Sequence, residues 1–322
     1  MPEWLVECGI GETRAVLIDN GEIVETLIEL DGTVAAGTVL SARLTGNGHN
    51  GRNAVATTEE GAEFLLPHGA AGIAQGGTIA IEVTREAIPG AEPWKRALAR
   101  VSDREPGPMR SLAERLGARE LAFPGAEDLL GKAGWDDLLE QARSGIVRFA
   151  GGELWISPTP AMTLIDVDGH VPPDELAVLG ASQAGAAIRR LGIGGSIGID
   201  LPTVGSKAIR HAASTALDAA LPQPFERTAV NGFGFVQVVR PRVRASLVEL
   251  AQDRAQFEAR ALLRRTAFDG TGAKHLVAHP VVIAALAARA AWVDALSRQV
   301  GGGVSLRAEP LLPMSGGYAE TA

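Results

Sequence analysis

Apolar and polar positions alternate over the first thirty residues. WLVECG, TRAVLIDN and EIVETLIEL each read as a short strand, with Gly9-Ile10-Gly11 and the hairpin dipeptide Asn20-Gly21 between them. A meander of this kind cannot bury its apolar face alone and needs helices from elsewhere in the chain. Between Ala36 and Ser102 the pattern shortens to GTVLSARL, RNAVATTE, AEFLLP, GTIAIEVTRE and WKRALARV, separated by glycine-rich turns. This is the spacing of a five-stranded OB-type barrel. DREPGP (Asp103–Pro108) is a linker by composition, Met109–Gly117 one short helix, and Trp135–Leu139 part of another.

The pattern changes again at Ala161–Thr203. Met162–Ile165 and Ile197–Ile199 are apolar runs of the sort a strand buried on both faces needs. Between them Leu176, Leu179, Ala187, Ile188 and Leu191 share roughly one helical face, with Asp174 at its N-terminal end. A strand–helix–strand unit follows, with parallel strands and acids at one carboxyl edge: Asp166, Asp168 two further on, and Asp200. On neighbouring strands, about 4.8 Å apart, two carboxylates can close on a small cation through oxygen bonds of about 2.1 Å. A lone Asp after a strand is as readily a turn former or helix cap; two flanking one crossover point away from that role. Ile146–Phe149 and Glu153–Ser157 form a hairpin leading in, and a helix from Ser206 to Ala220 leads out, its inward face Ile209, Ala213, Ala216, Leu217 and Ala220. A single helix is expected over Val248–Arg265 and another over Pro280–Leu296, with Pro280 at its start.

Composition narrows the class. Hydrophobic residues make up 46% and charged residues 21%, a folded rather than a disordered balance. The 322 residues have room for about two to four small domains. One cysteine, Cys8, excludes an intramolecular disulfide framework and a cysteine-based zinc site. MPEWLVECG lacks a basic then apolar leader, and Arg289 and Asp294 interrupt the most apolar helix, so a cytoplasmic protein without a membrane partner is expected. The net charge of −8 means that any phosphate contact must come from local basic clusters, with clear salt dependence.

Ile165-Asp166-Val167-Asp168 and Gly194-Gly195-Ser196-Ile197-Gly198-Ile199-Asp200-Leu201 resemble the "IDIN" and "GGLIVIDF" segments of the ribonuclease E/G family. Glu63-Phe64-Leu65-Leu66-Pro67 is similar to that family's "xGFLP", and ERTAVNGFGFVQVVRPRVRAS resembles its "ISxFGLxExxRxR", with Asn231-Gly232-Phe233-Gly234 as the turn. The resemblance implies an α/β (α+β multidomain) protein: an RNase H-like subdomain (1–35 and 103–150) interrupted by an OB-fold RNA-binding insertion (36–102). A mixed-sheet metal-dependent nuclease subdomain (151–247) and a small C-terminal α/β domain (248–322) follow. It implies an endoribonuclease that cuts single-stranded RNA, leaving a 5′-phosphate, with Asp166 and Asp200 as ligands of Mg²⁺, or of Mn²⁺.

Asp168 stands where the family has Asn, either as a third ligand or as a repulsive group that weakens catalysis. The family's 5′-end sensor and its cysteine zinc-link have no counterpart, so no zinc is expected and any homo-oligomer forms without that link. RNA contacts are expected at Phe64 by that resemblance, at Arg85 and Lys95 in a basic groove of the barrel, at His170 in a loop that departs from the family's, and at Arg240 and Arg242. Other readings stay open: Phe64 as barrel core, His170 as a solvated loop residue, and Arg240, Arg242 and Arg244 as a solvated edge. An RNA-binding or scaffold protein with weakened catalysis is the alternative function.

Overall fold

The computed structural model describes residues 1–48, 52–88 and 95–321, so Trp94, the first residue of the expected last barrel strand, lies outside them. In chain order the elements are β1 (Glu3–Cys8), β2 (Glu12–Asp19), β3 (Glu22–Leu30), β4 (Val39–Gly46), β5 (Ala54–Thr57), β6 (Glu63–Leu66), β7 (Thr78–Arg85), β8 (Ala97–Val101), α1 (Leu112–Leu116), β9 (Arg119–Leu121), α2 (Leu129–Lys132) and α3 (Trp135–Ser144). There follow β10 (Ile146–Phe149), β11 (Gly152–Pro158), β12 (Thr163–Gly169), α4 (Pro173–Arg190), β13 (Gly195–Asp200), α5 (Lys207–Ala220), β14 (Glu226–Arg227) and β15 (Phe235–Arg240). The chain ends with α6 (Leu247–Leu250), α7 (Arg254–Phe268), β16 (Lys274–Ala278), α8 (Pro280–Ala287), α9 (Ala290–Val300), β17 (Val304–Ala308) and β18 (Tyr318–Thr321). The protein is a mixed α/β fold with several mixed sheets and a small five-stranded barrel.

The chain divides into two compact units. The first gathers Met1–Asp31, Leu112–Ser144 and Leu247–Ala322. Its four-stranded sheet has the order β3-β2-β1-β9, antiparallel except for β1 beside β9. Asn20 (φ 51°) and Gly21 (φ 87°) make the left-handed two-residue turn that the Asn-Gly dipeptide favours. A second sheet, β17-β16-β18, shares a core with α7, α8 and α9 built on Leu262, Leu263, Leu276, Val282, Leu286 and Leu296.

Two expected helices are each broken in two. Val248–Arg265 gives way at Ala251–Asp253, because the Asp253 carboxylate accepts the Gln256 N–H at 3.3 Å and caps a fresh start. Pro280–Leu296 divides at Ala288–Arg289 into α8 and α9, bent by 89°. Among the described residues no single helix is long and apolar enough to cross a membrane.

Charge is buried in this unit on an unusual scale. The Arg264 guanidinium donates from Nε to Glu7 at 2.9 Å and from Nη2 to Asp128 at 2.6 Å. Arg14 donates to Glu7 at 2.7 Å and to Glu12 at 2.8 Å, and Arg260 closes on Glu12 at 2.8 Å. Three arginines thus neutralise three carboxylates inside the fold. Aromatic faces line the same space, with Arg264 5.1 Å from the Phe268 ring centroid and Arg14 5.7 Å from that of Phe123.

The loop beside this network is made of glycine for steric reasons. Gly11 has φ +81°, and a β-carbon there would lie 2.5 Å from the Trp292 ring. Gly11→Ala is therefore expected to destabilise the protein by about 2 kcal/mol or more, from left-handed strain plus overpacking, read as a lowered urea midpoint.

The second unit joins Gly32–Ser111 to Gly145–Ser246. Its barrel closes in the order β4-β5-β6-β8-β7 around Leu44, Phe64, Leu66, Ile81 and Val83. The Glu86 N–H donates to Val243 O at 2.8 Å and its carboxylate lies 3.4 Å from Arg244, tying the barrel to the chain just beyond β15. The remaining sheet runs β10-β11-β12-β13-β15-β14, and only β12 and β13 are parallel.

Candidate metal and nucleic-acid site

The expected strand–helix–strand unit forms as β12, α4 and β13. Ile165, Val167, Ile197 and Ile199 are buried, while Asp166, Asp168 and Asp200 are exposed. Alternation therefore sends the apolar set to the covered face and the acids to the open one. Helix α4 lies close because Gly180 has no side chain: a β-carbon there would be 2.4 Å from Val167 Cγ1. Asp166 and Asp200 are direct partners in the parallel register, so both carboxylates rise from the same face. Strand β12 itself does not end at Asp166; it continues to Gly169 against β11.

Two rows of side chains cross this open face. In the first, Trp155, Asp166, Asp200 and Phe235 are successive partners on β11, β12, β13 and β15. In the second, Arg148, Glu153 and Asp168 are partners on β10, β11 and β12. Glu153 accepts the Trp155 indole N–H at 3.1 Å and lies 3.5 Å from Arg148 Nε. Partial desolvation by the neighbouring strands, with repulsion from Asp168 and then Asp200, raises the Asp166 carboxyl above the ordinary carboxylate range. The floor beside the pair is apolar: Gly198 leaves a recess into which the Phe235 ring fits, next to Leu164.

The turn before β15 borders Asp200. Asn231 Oδ1 accepts the Phe233 and Phe235 N–H groups at 2.9 and 3.1 Å. Thr203 Oγ1 donates to Phe233 O at 3.0 Å, and the Leu201 N–H to Gly234 O at 3.2 Å. Gly234 (φ +92°) has to be glycine, since a β-carbon would meet Leu201 O at 2.1 Å.

No known family model matches the chain, and no curated protein does.

The expected RNA contacts scatter. Phe64 is corrected: at 2% exposure its ring belongs to the barrel core and offers no face to a base. Arg85 donates from Nη2 to Arg96 O at 2.9 Å, which keeps it near the half-buried Lys95 on the barrel. His170 is exposed just beyond β12, at the acids' edge of the sheet. Arg240 and Arg242, named above as RNA contacts, lie away from the paired acids by register. Because β15 is antiparallel to β13, Phe235 pairs with Asp200 and Arg240 with Gly195, five residues and about 17 Å away. Arg240 donates to Ile193 O at 3.3 Å, and Arg242 packs its stem near Gly195. Among the described residues no group of three or more His, Cys, Asp or Glu side chains gathers as a metal-ligand set.

The residues that sequence reasoning missed are Trp155 and Phe235. Counting back across the Pro158–Thr163 turn would have paired Trp155 with Asp166, as the register does.

Proposed function

We propose that the chain is a Mg²⁺-dependent endoribonuclease acting on single-stranded RNA, with Mn²⁺ as a substitute metal. The observation that carries this reading is the in-register pairing of Asp166 with Asp200 on an open sheet face. The donor set fits such an ion: Mg²⁺ is commonly held by one or two carboxylates and keeps several waters. Two acids held this close repel one another, and a cation relieves that cost. When bound, the ion supplies an activated water and stabilises charge on the phosphodiester. The protein's own part is to hold the two carboxylates rigidly on paired strands and to leave the space above them open to solvent. His170, exposed at the same edge, is placed to donate to a phosphate oxygen or to carry a proton.

In this reading the four-stranded sheet is RNase H-like, the barrel an OB-fold module that meets RNA through Arg85 and Lys95, and the six-stranded sheet the nuclease subdomain. One observation favours a second reading, an RNA-binding or scaffold protein with weakened catalysis. Asp168 adds a third carboxylate to the face that an incoming phosphate must approach.

The test is a fluorescent, AU-containing single strand incubated with Mg²⁺ or with chelator. Metal-dependent cutting at equal rates for 5′-monophosphate and 5′-hydroxyl ends supports the enzyme. Salt-sensitive binding without cutting supports the second reading. Neither cutting nor binding overturns both.

A titration follows from the same pair. Without divalent ions Asp166 is expected to take up its proton above the ordinary carboxylate range, and saturating Mg²⁺ to lower that midpoint, both read by carboxyl NMR. The sign for stability is the reverse of a salt bridge: a carboxyl raised in the folded state costs stability when ionised, and falling pH relieves the cost. Asp166→Asn in metal-free buffer at neutral pH should therefore leave the melting temperature unchanged or raised.

A further inference from the structure

We propose that Trp155 and Phe233 are stacking platforms for the two bases that flank the phosphodiester held over Asp166 and Asp200. The proposal rests on the nuclease reading above and names how that site grips its strand. Trp155 is 45% exposed and Phe233 81%, whereas most other large apolar side chains of this unit are buried. The two residues flank the acids in the order of the sheet. Trp155 is the β11 partner of Asp166, and Phe233 lies two residues before Phe235, the β15 partner of Asp200.

Neither ring is exposed through looseness. The indole N–H is held by Glu153 at 3.1 Å, which orients the ring on the open face. Both backbone polar groups of Phe233 are bonded, to Asn231 Oδ1 at 2.9 Å and Thr203 Oγ1 at 3.0 Å, so the turn itself projects the ring.

Charge argues for stacking as the means of grip. This face carries Glu153, Asp166, Asp168 and Asp200, and its one arginine among the described residues, Arg148, lies 3.5 Å from Glu153. Arginine contacts to phosphate on this face therefore supply little of the affinity, whereas a base stacked on an aromatic ring needs no positive charge. Spacing adds a selectivity. Trp155 lies on β11 and Phe233 in the turn that leads into β15, strands three intervals or about 14 Å apart, against a rise of about 3.4 Å for nucleotides stacked in a helix. Bases resting on the two rings are splayed apart, which a duplex does not allow and a single strand does.

The experiment compares a ten-nucleotide single-stranded RNA with the same backbone made abasic. Binding is read by fluorescence anisotropy with Ca²⁺ in place of Mg²⁺, and cutting is read separately with Mg²⁺. Wild type is expected to prefer the base-bearing strand, and Trp155→Ala and Phe233→Ala each to reduce that preference about 5- to 150-fold. Trp155→Phe should restore most of it, and a preserved melting temperature shows that each variant is folded. If wild type cuts RNA but the variants keep the full preference, the stacking proposal falls and the nuclease reading stands. If wild type neither cuts nor binds, both fall. If Trp155→Ala instead abolishes a concentration-dependent dimer seen by sedimentation, with the preference untouched, the face is a contact between copies and the proposal is overturned.

Discussion

Asp200→Asn is expected to lower metal-dependent cutting of single-stranded RNA by on the order of a thousandfold, with the fold intact. Losing one of two carboxylates removes several kcal/mol of transition-state stabilisation, and each 1.36 kcal/mol is about a factor of ten in rate. Asp200 is the cleaner of the two sites to change. It is the last residue of β13 and is exposed, so an amide there strands no buried partner. Asp166→Asn should act in the same direction, but Asp168, two residues along the same face, can offer a replacement oxygen. Asp168→Asn separates its two roles. If Asp168 repels the phosphate, the amide speeds cutting; if it is a ligand, the amide slows it. Initial rates at saturating Mg²⁺, with melting temperatures alongside, check all three.

Arg264→Met is expected to cost about 3–5 kcal/mol of stability, the usual consequence of removing one member of a buried ion network. The guanidinium is 2% exposed and bonds both Glu7 and Asp128, so its loss leaves the two carboxylates, among the described residues, with Arg14 and the Gly131 turn amide for partners. Burial pushes Glu12 toward protonation, but Arg14 and Arg260 outweigh it and hold the carboxyl below its ordinary 4.5. Asp128 is lowered in the same way, through Arg264. Carboxylates lowered in the fold lend stability that is present above their ordinary values and lost as pH falls through the folded ones. The first unit should accordingly unfold in acid, and Arg264→Met should raise the pH at which it does. Urea midpoints measure the first effect, and circular dichroism against pH the second. Adding Glu7→Gln to Arg264→Met should restore part of the loss, since the stranded charge is then gone.

Elements with a strict local period were legible in the sequence. Alternation in β1 to β3, the Asn20-Gly21 turn, and the apolar strands flanking α4 each depend on neighbours within a few positions. The helix breaks at Ala251 and Ala288 were not, since apolar periodicity runs straight through both and only Asp253 marks a new start. For the site, the Asp166–Asp200 partnership followed from the parallel crossover. The distance of the arginines from the acids was not legible, because strand direction, not composition, decides which end of β15 meets Asp200. Phe64 looked equally suited to core and surface until strand pairing turned its ring inward. The buried network of Glu7, Glu12, Arg14, Asp128, Arg260 and Arg264 had no sequence signal, because its members come from three separate stretches of chain.

That wide separation has a consequence during synthesis. Glu7 and Arg264 are 257 positions apart, so at 5–20 residues per second the ribosome takes roughly 10–50 s between them. Throughout that interval the nascent β-meander carries Glu7 and Glu12 without Arg260 or Arg264, and its sheet stays open at one face. The first part of the chain to emerge is therefore among the last to become native. A ribosome stalled short of Arg260 should present an amino-terminal segment that protease removes readily, beside a barrel, complete by Val101, that it leaves intact.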